Sequence, residues 1–154
     1  MAELRYLVIH CTATPEGREV TSDEIRNWHT RPKWMGGRGW KQVGYSDMIH
    51  LDGGVENLVP YNEDDVVDPW EITNGVAGKN NVSRHVVYVG GVDGNNQPKD
   101  TRTEEQKEAL ARYVKEFRRQ HPEARIVGHN ELAAKACPSF DVRKWLYDIG
   151  VNPR

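Results

Sequence analysis

The chain has 154 residues, a length suited to one domain of about 100–200 residues, and 21 Lys plus Arg against 23 Asp plus Glu leave a formal charge of −2. That balance argues against a broad phosphate-neutralising face, so no nucleic-acid partner is expected. No apolar run nears the roughly 18 residues of a membrane span, and the opening Met-Ala-Glu-Leu-Arg-Tyr lacks the basic stretch and apolar core of a signal peptide; synthesis in the cytoplasm with no membrane partner is expected.

The run Arg5–Cys11 is short, apolar and β-rich, the pattern of a strand buried on both faces. Side chains alternate along a strand, so His10 and Cys11 should point to opposite faces, Cys11 into the core. Thr21 and Glu24 form a capping-box pattern, with Ile25, Trp28 and His29 following at helical spacing. The segment 31–39 carries one Pro and three Gly and reads as a loop. A strand is expected over 45–51, turning at Asp52-Gly53-Gly54 into 55–59 as a hairpin. The stretch 62–83 is polar and turn-rich and shows no divisible pattern.

Residues 84–90 read as another strand, central in its sheet. Thr103 with Gln106 opens a second capped helix, in which Leu110, Tyr113, Val114 and Phe117 trace an i, i+3, i+4, i+7 stripe that stops before His121-Pro122. Arg125–Gly128 is a short strand running into His129. Val142, Trp145, Leu146 and Ile149 mark a last helix. Strands and helices alternate, which predicts an α/β protein: one domain over residues 1–154, with a central mixed β-sheet flanked by helices.

Two cysteines, Cys11 and Cys137, are too few for a disulfide framework. His10 ends the first strand, and His129 and Cys137 stand eight residues apart. Two imidazoles and one thiolate could hold zinc while leaving a fourth position for water, the catalytic arrangement. Spacing alone leaves this site and an ordinary buried thiol both open. His85 is the one histidine that could compete as a ligand. Trp28 and His29 read as a helix face against the sheet, and His50 as a strand histidine of unassigned facing.

The run G-H-N-E-L-A-A-K-A-C-P-S-F-D at 128–141 resembles the zinc-binding signature of type-2 N-acetylmuramoyl-L-alanine amidases, which include amidase-type bacteriophage lysozymes and relatives among animal peptidoglycan recognition proteins. I-H-C-T-A-T at 9–14, E-I-R-N-W-H at 24–29, G-W-K-Q-V-G-Y at 39–45 and V-G-G at 89–91 follow the family order. The resemblance implies zinc-dependent hydrolysis of the amide between N-acetylmuramic acid and the L-alanine of the stem peptide. It implies His10, His129 and Cys137 as zinc ligands, and Tyr45 and Lys135 as active-site partners. The expected partner is peptidoglycan, glycan strand and stem peptide, met by a monomer that reaches the cell wall after release from the cytoplasm.

Two other readings follow from the same resemblance: a noncatalytic peptidoglycan-binding module, and a phage regulatory protein that inhibits an RNA polymerase. The sequence also departs from the family. Ser46-Asp47 replace the His-Phe that often follows the active-site Tyr, and Val76-Ala77-Gly78 stand where the family has Ala-His-Ala. The 31–39 loop is longer than its counterpart, and Asp47 is open to a role as an added acid or base.

Overall fold

A computed structural model describes residues 2–154. Its central sheet contains β1 (Tyr6–Cys11), β2 (Asp47–Ile49), β3 (Val55–Asn57), β4 (Ser83–Tyr88) and β5 (Arg125–Gly128), in the spatial order β3-β2-β4-β1-β5. Strands β2, β4, β1 and β5 run parallel, and β3 turns back antiparallel to β2, so the sheet is mixed. The interior strands β1 and β4 are buried at nearly every position, which explains the apolar runs Leu7–Ile9 and Val86–Tyr88; β4 also buries the polar Ser83, Arg84 and His85.

The helices are α1 (Ser22–Thr30), α2 (Glu104–Gln120) and α3 (Val142–Asp148). Leu7, Ile9 and Cys11 of β1 join Val86 and Tyr88 of β4 in one core with Leu110, Val114 and Phe117 of α2 and Leu146 of α3. The opposite face packs Met48 and Val87 against Ile25 of α1, and Val8 against Val76 and Val127. Alternation therefore sends Cys11 into the α2–α3 layer and turns His10 to the other side. Both capping boxes form: Thr21 Oγ1 accepts the Glu24 N–H at 3.2 Å, and Thr103 Oγ1 accepts that of Gln106 at 3.0 Å. Among the described residues no helix is long and apolar enough to cross a membrane.

Three expectations need correction in detail. The strand over 45–51 shrinks to Asp47–Ile49, because Gly44 and Tyr45 turn towards α1 and residues 50–54 close the hairpin. The 31–39 loop contains a 3-10 turn at Lys33–Met35. The undivided 62–83 stretch holds a short strand, Val66–Val67, paired with Ala2–Glu3, and 3-10 turns at Pro69–Glu71 and Asn80–Val82. These pieces are too short to show a period and lean on side chains; the Glu71 carboxylate accepts the N–H groups of Asn62 and Asp68.

Asp47 is a structural carboxylate on the α2 side of the sheet. Its oxygens accept from Tyr61 and Tyr113, each at 2.5 Å, and from Asn57 Nδ2 at 3.0 Å. The sheet separates it from His10, so it has no acid–base role beside that histidine. Its bond to Tyr113 also explains why that position of the α2 stripe carries a polar tip.

Candidate active site

The register of β1 and β5 assembles the centre. Ile9 lies opposite Gly128, so the next residues, His10 and His129, emerge side by side at the carboxyl ends of neighbouring parallel strands, their ring centroids 4.8 Å apart. Ligand sites favour such strand ends in open α/β sheets. The loop after β5 folds back and brings Cys137 to the same point, where its Sγ accepts the Cys11 N–H at 3.2 Å. Tyr88 and Ser139 hold that loop, donating to the carbonyls of Pro138 at 2.6 Å and Gly91 at 2.8 Å. Gly128 permits the close return, because a Cβ there would lie 2.6 Å from Asn130 and 3.0 Å from Pro138.

One donor atom from each of His10, His129 and Cys137 lies within 4.8 Å of the others. Two imidazoles and a sulfur are the donors of a zinc-type site; calcium and magnesium would call for oxygens. Burial, then the neighbouring His85, His129 and His29, hold His10 well below the usual imidazole range. Burial, then Lys135, lower His129. Both rings are thus neutral donors around neutrality. Contact with the Cys11 thiol and burial push the Cys137 thiol up, so a bound cation is what would make it a thiolate. The residues present fit a soft divalent metal.

These groups open into a cleft of about 480 Å³ whose lining also includes Trp28, His29, Arg38, Trp40, Tyr45 and Lys135. The Tyr45 ring stands 5.1 Å from that of His10 and 5.3 Å from that of His29. Burial drives the Tyr45 phenol up, so it stays protonated as a hydrogen-bond donor. Gly44 presents it by donating its N–H to His29 Nδ1 at 2.9 Å. Among the described residues no Asp or Glu lines the cleft, while Arg38 and Lys135 do. A site without carboxylates lacks the acid pair of most glycoside hydrolases and favours an anionic ligand.

All five residues singled out by the resemblance thus line one cleft. His29 and Trp28 do more than pack α1 on the sheet, since both line it as well. His50 is elsewhere, bound to Glu19 and Glu56. His85 does not compete for the centre: it sits behind His10, with 2.8 Å between His85 Nδ1 and His10 Nε2. The parallel register places Val8 beside His85, so the two histidines share a face one step apart. Sequence reading missed Asn80, Arg38 and Trp40, and only the strand register or the cleft itself gives a signal for them.

Burial lowers His85 to about 3 and His29 to about 4. Unfolded, each imidazole takes up a proton near pH 6.5. Below that pH the unfolded chain binds more protons, so these two groups make stability fall as pH drops from 6.5 towards those values. Each contributes up to about 1.4 kcal/mol per pH unit, less for His29 to the extent that solvent reaches it. His50, raised by its two glutamates, opposes this in part. Urea midpoints of chelator-treated protein should therefore decline steadily from pH 7 to 4.5, and a flat or rising profile would contradict the buried neutral imidazoles.

The family model described as N-acetylmuramoyl-L-alanine amidase matches residues 1–140. An endolysin of Enterobacteria phage K11 is 36% identical over 144 residues, which cover 94% of this chain and 86% of the relative. Among solved structures, the Ph2119 endolysin from the Thermus scotoductus bacteriophage Ph2119 superposes with a TM-score of 0.70 at 25% identity, covering 99% of this chain and 87% of the other. The N-acetylmuramoyl-L-alanine amidase LysC from Clostridium intestinale shares the fold, with a TM-score of 0.74 at 17% identity over 98% and 88% of the two chains.

Proposed function

The chain belongs to the N-acetylmuramoyl-L-alanine amidase family, and from that membership we propose that it works through a zinc ion held by His10, His129 and Cys137, with Tyr45 and Lys135 as its catalytic partners. It is an N-acetylmuramoyl-L-alanine amidase and acts on peptidoglycan. The observation that carries the zinc reading is the convergence of two imidazoles and a thiol in a cleft that, among the described residues, no carboxylate lines. Zinc held there supplies Lewis-acid polarisation of the scissile carbonyl and acidification of a water molecule.

The chain's own residues do the rest. The cleft between α1 and the 129–137 loop takes the lactyl–alanine junction, and Arg38 and Lys135 offer positive charge to the carboxylates of the stem peptide. When water adds to the amide carbon, negative charge grows on the carbonyl oxygen. Tyr45 Oη donates a hydrogen bond to it and Lys135 Nζ supplies charge, the preorganised stabilisation that dominates acyl-transfer catalysis. The carbon–nitrogen bond then breaks, giving a muramoyl carboxylate and a peptide with a free alanine amino group. Residues 1–154 act as one amidase domain, a monomer that works on the wall after release.

Clearing of a suspension of purified cell walls tests the metal reading. The protein as purified should clear the suspension, chelation should stop it, and added zinc should restore it. Clearing that survives complete chelation would overturn the zinc assignment.

A further inference from the structure

Behind the metal ligand His10 runs a hydrogen-bonded chain whose proton positions the structure determines. Asn80 Oδ1 accepts the Val76 backbone N–H at 2.8 Å, and a backbone N–H only donates, so the orientation of the Asn80 amide is fixed. The same oxygen lies 3.0 Å from His85 Nε2, which must therefore carry a hydrogen. His85 is 0% exposed and, among the described residues, its ring nitrogens find only Asn80 and His10 as hydrogen-bond partners, with no carboxylate beside it, so it is neutral and its Nδ1 is an acceptor. The partner of that Nδ1 at 2.8 Å is His10 Nε2, which donates. His10 is left with a bare Nδ1, and this atom faces Cys137 Sγ at 3.7 Å.

Gly75 makes the arrangement possible. A Cβ at that position would fall 2.4 Å from His85 Nδ1, so the ring occupies the volume that any other residue at 75 would take. Such an outer partner fixes the tautomer and direction of a ligating imidazole and makes it a better donor.

We infer that His85, oriented by Asn80 and given room by Gly75, is a positioning residue that locks His10 in the tautomer whose Nδ1 is free to bind the metal. This rests on the zinc reading above only for what His10 ligates; the locked tautomer belongs to the metal-free protein too. Neither His85 nor Asn80 lines the cleft, so their effect reaches substrate only through His10.

Two measurements test it on the full chain. Long-range proton–nitrogen NMR of the metal-free protein should find the His10 proton on Nε2, and in Asn80→Ala that preference should weaken. Competition for zinc against a chromogenic chelator should show affinity lowered about 10–100-fold in His85→Phe, and by a smaller factor in Asn80→Ala. A His10 proton on Nδ1, or His85→Phe and Asn80→Ala both binding zinc as tightly as the parent, would overturn the inference. If His85→Phe does not fold, Asn80→Ala keeps the ring in place and decides the matter by both measurements. If the parent itself binds no zinc, the metal reading fails, and the tautomer measurement still decides this one.

Discussion

Cys137→Ser should purify with less than about one-hundredth of the parent's zinc affinity and with no measurable wall-clearing activity. The reason is the geometry around the sulfur. Its position is set by the Cys11 N–H at 3.2 Å and by a loop pinned through Tyr88 and Ser139, so the variant keeps the loop and loses the donor. A serine hydroxyl is a harder, far less acidic ligand and is shorter than a thiolate, leaving two imidazoles to hold the ion. The loss should exceed the 10–100-fold typical of a missing outer partner. Zinc content by elemental analysis and the urea midpoint of the chelated protein check it together. Full zinc content with full activity would remove Cys137 from the centre, whereas loss of the fold in the metal-free state would show that the thiol is structural.

Tyr45→Phe and Lys135→Ala should behave differently from any ligand change. Both residues line the cleft and neither belongs to the group of converging donors, so zinc content and stability should stay at the parent's level. Turnover should fall by roughly 10²–10³-fold for each if it supplies a main contact to the developing oxyanion. Phenylalanine keeps the ring contacts with His10 and His29, 5.1 and 5.3 Å between centroids, so the change isolates the hydroxyl. Parent-level turnover in both variants would mean that the stabilising groups lie elsewhere in the cleft.

Much of this architecture is legible in the sequence because its elements obey local rules. Thr21 with Glu24 and Thr103 with Gln106 each satisfy a helix end within four residues, and both boxes form as read. The runs Leu7–Ile9 of β1 and Val86–Tyr88 of β4 are apolar because both faces of these strands are covered. What the sequence hides are relations between distant segments. Asp47 reads as an open acid or base until Tyr61 and Tyr113, far along the chain and on the α2 side, claim it. His85 reads as a rival ligand because its spacing from His10 says nothing about register; pairing Val8 with His85 turns it into the residue behind the ligand. The 62–83 stretch is held by side-chain bonds to backbone, which leave no periodic trace. Residue type and spacing raise His10, His129 and Cys137 as a possible zinc set but leave it open beside an ordinary buried thiol; the motif resemblance singles them out and adds Tyr45 and Lys135.

The most direct measurement is the identity of the ends released from purified peptidoglycan, assayed with the protein as purified, after chelation, and after zinc is returned. An amidase working at this centre releases free alanine amino groups with no new reducing sugar, stops when the metal is removed, and resumes when zinc is restored. New reducing ends without new amino groups, or amide cleavage indifferent to chelation, would contradict it.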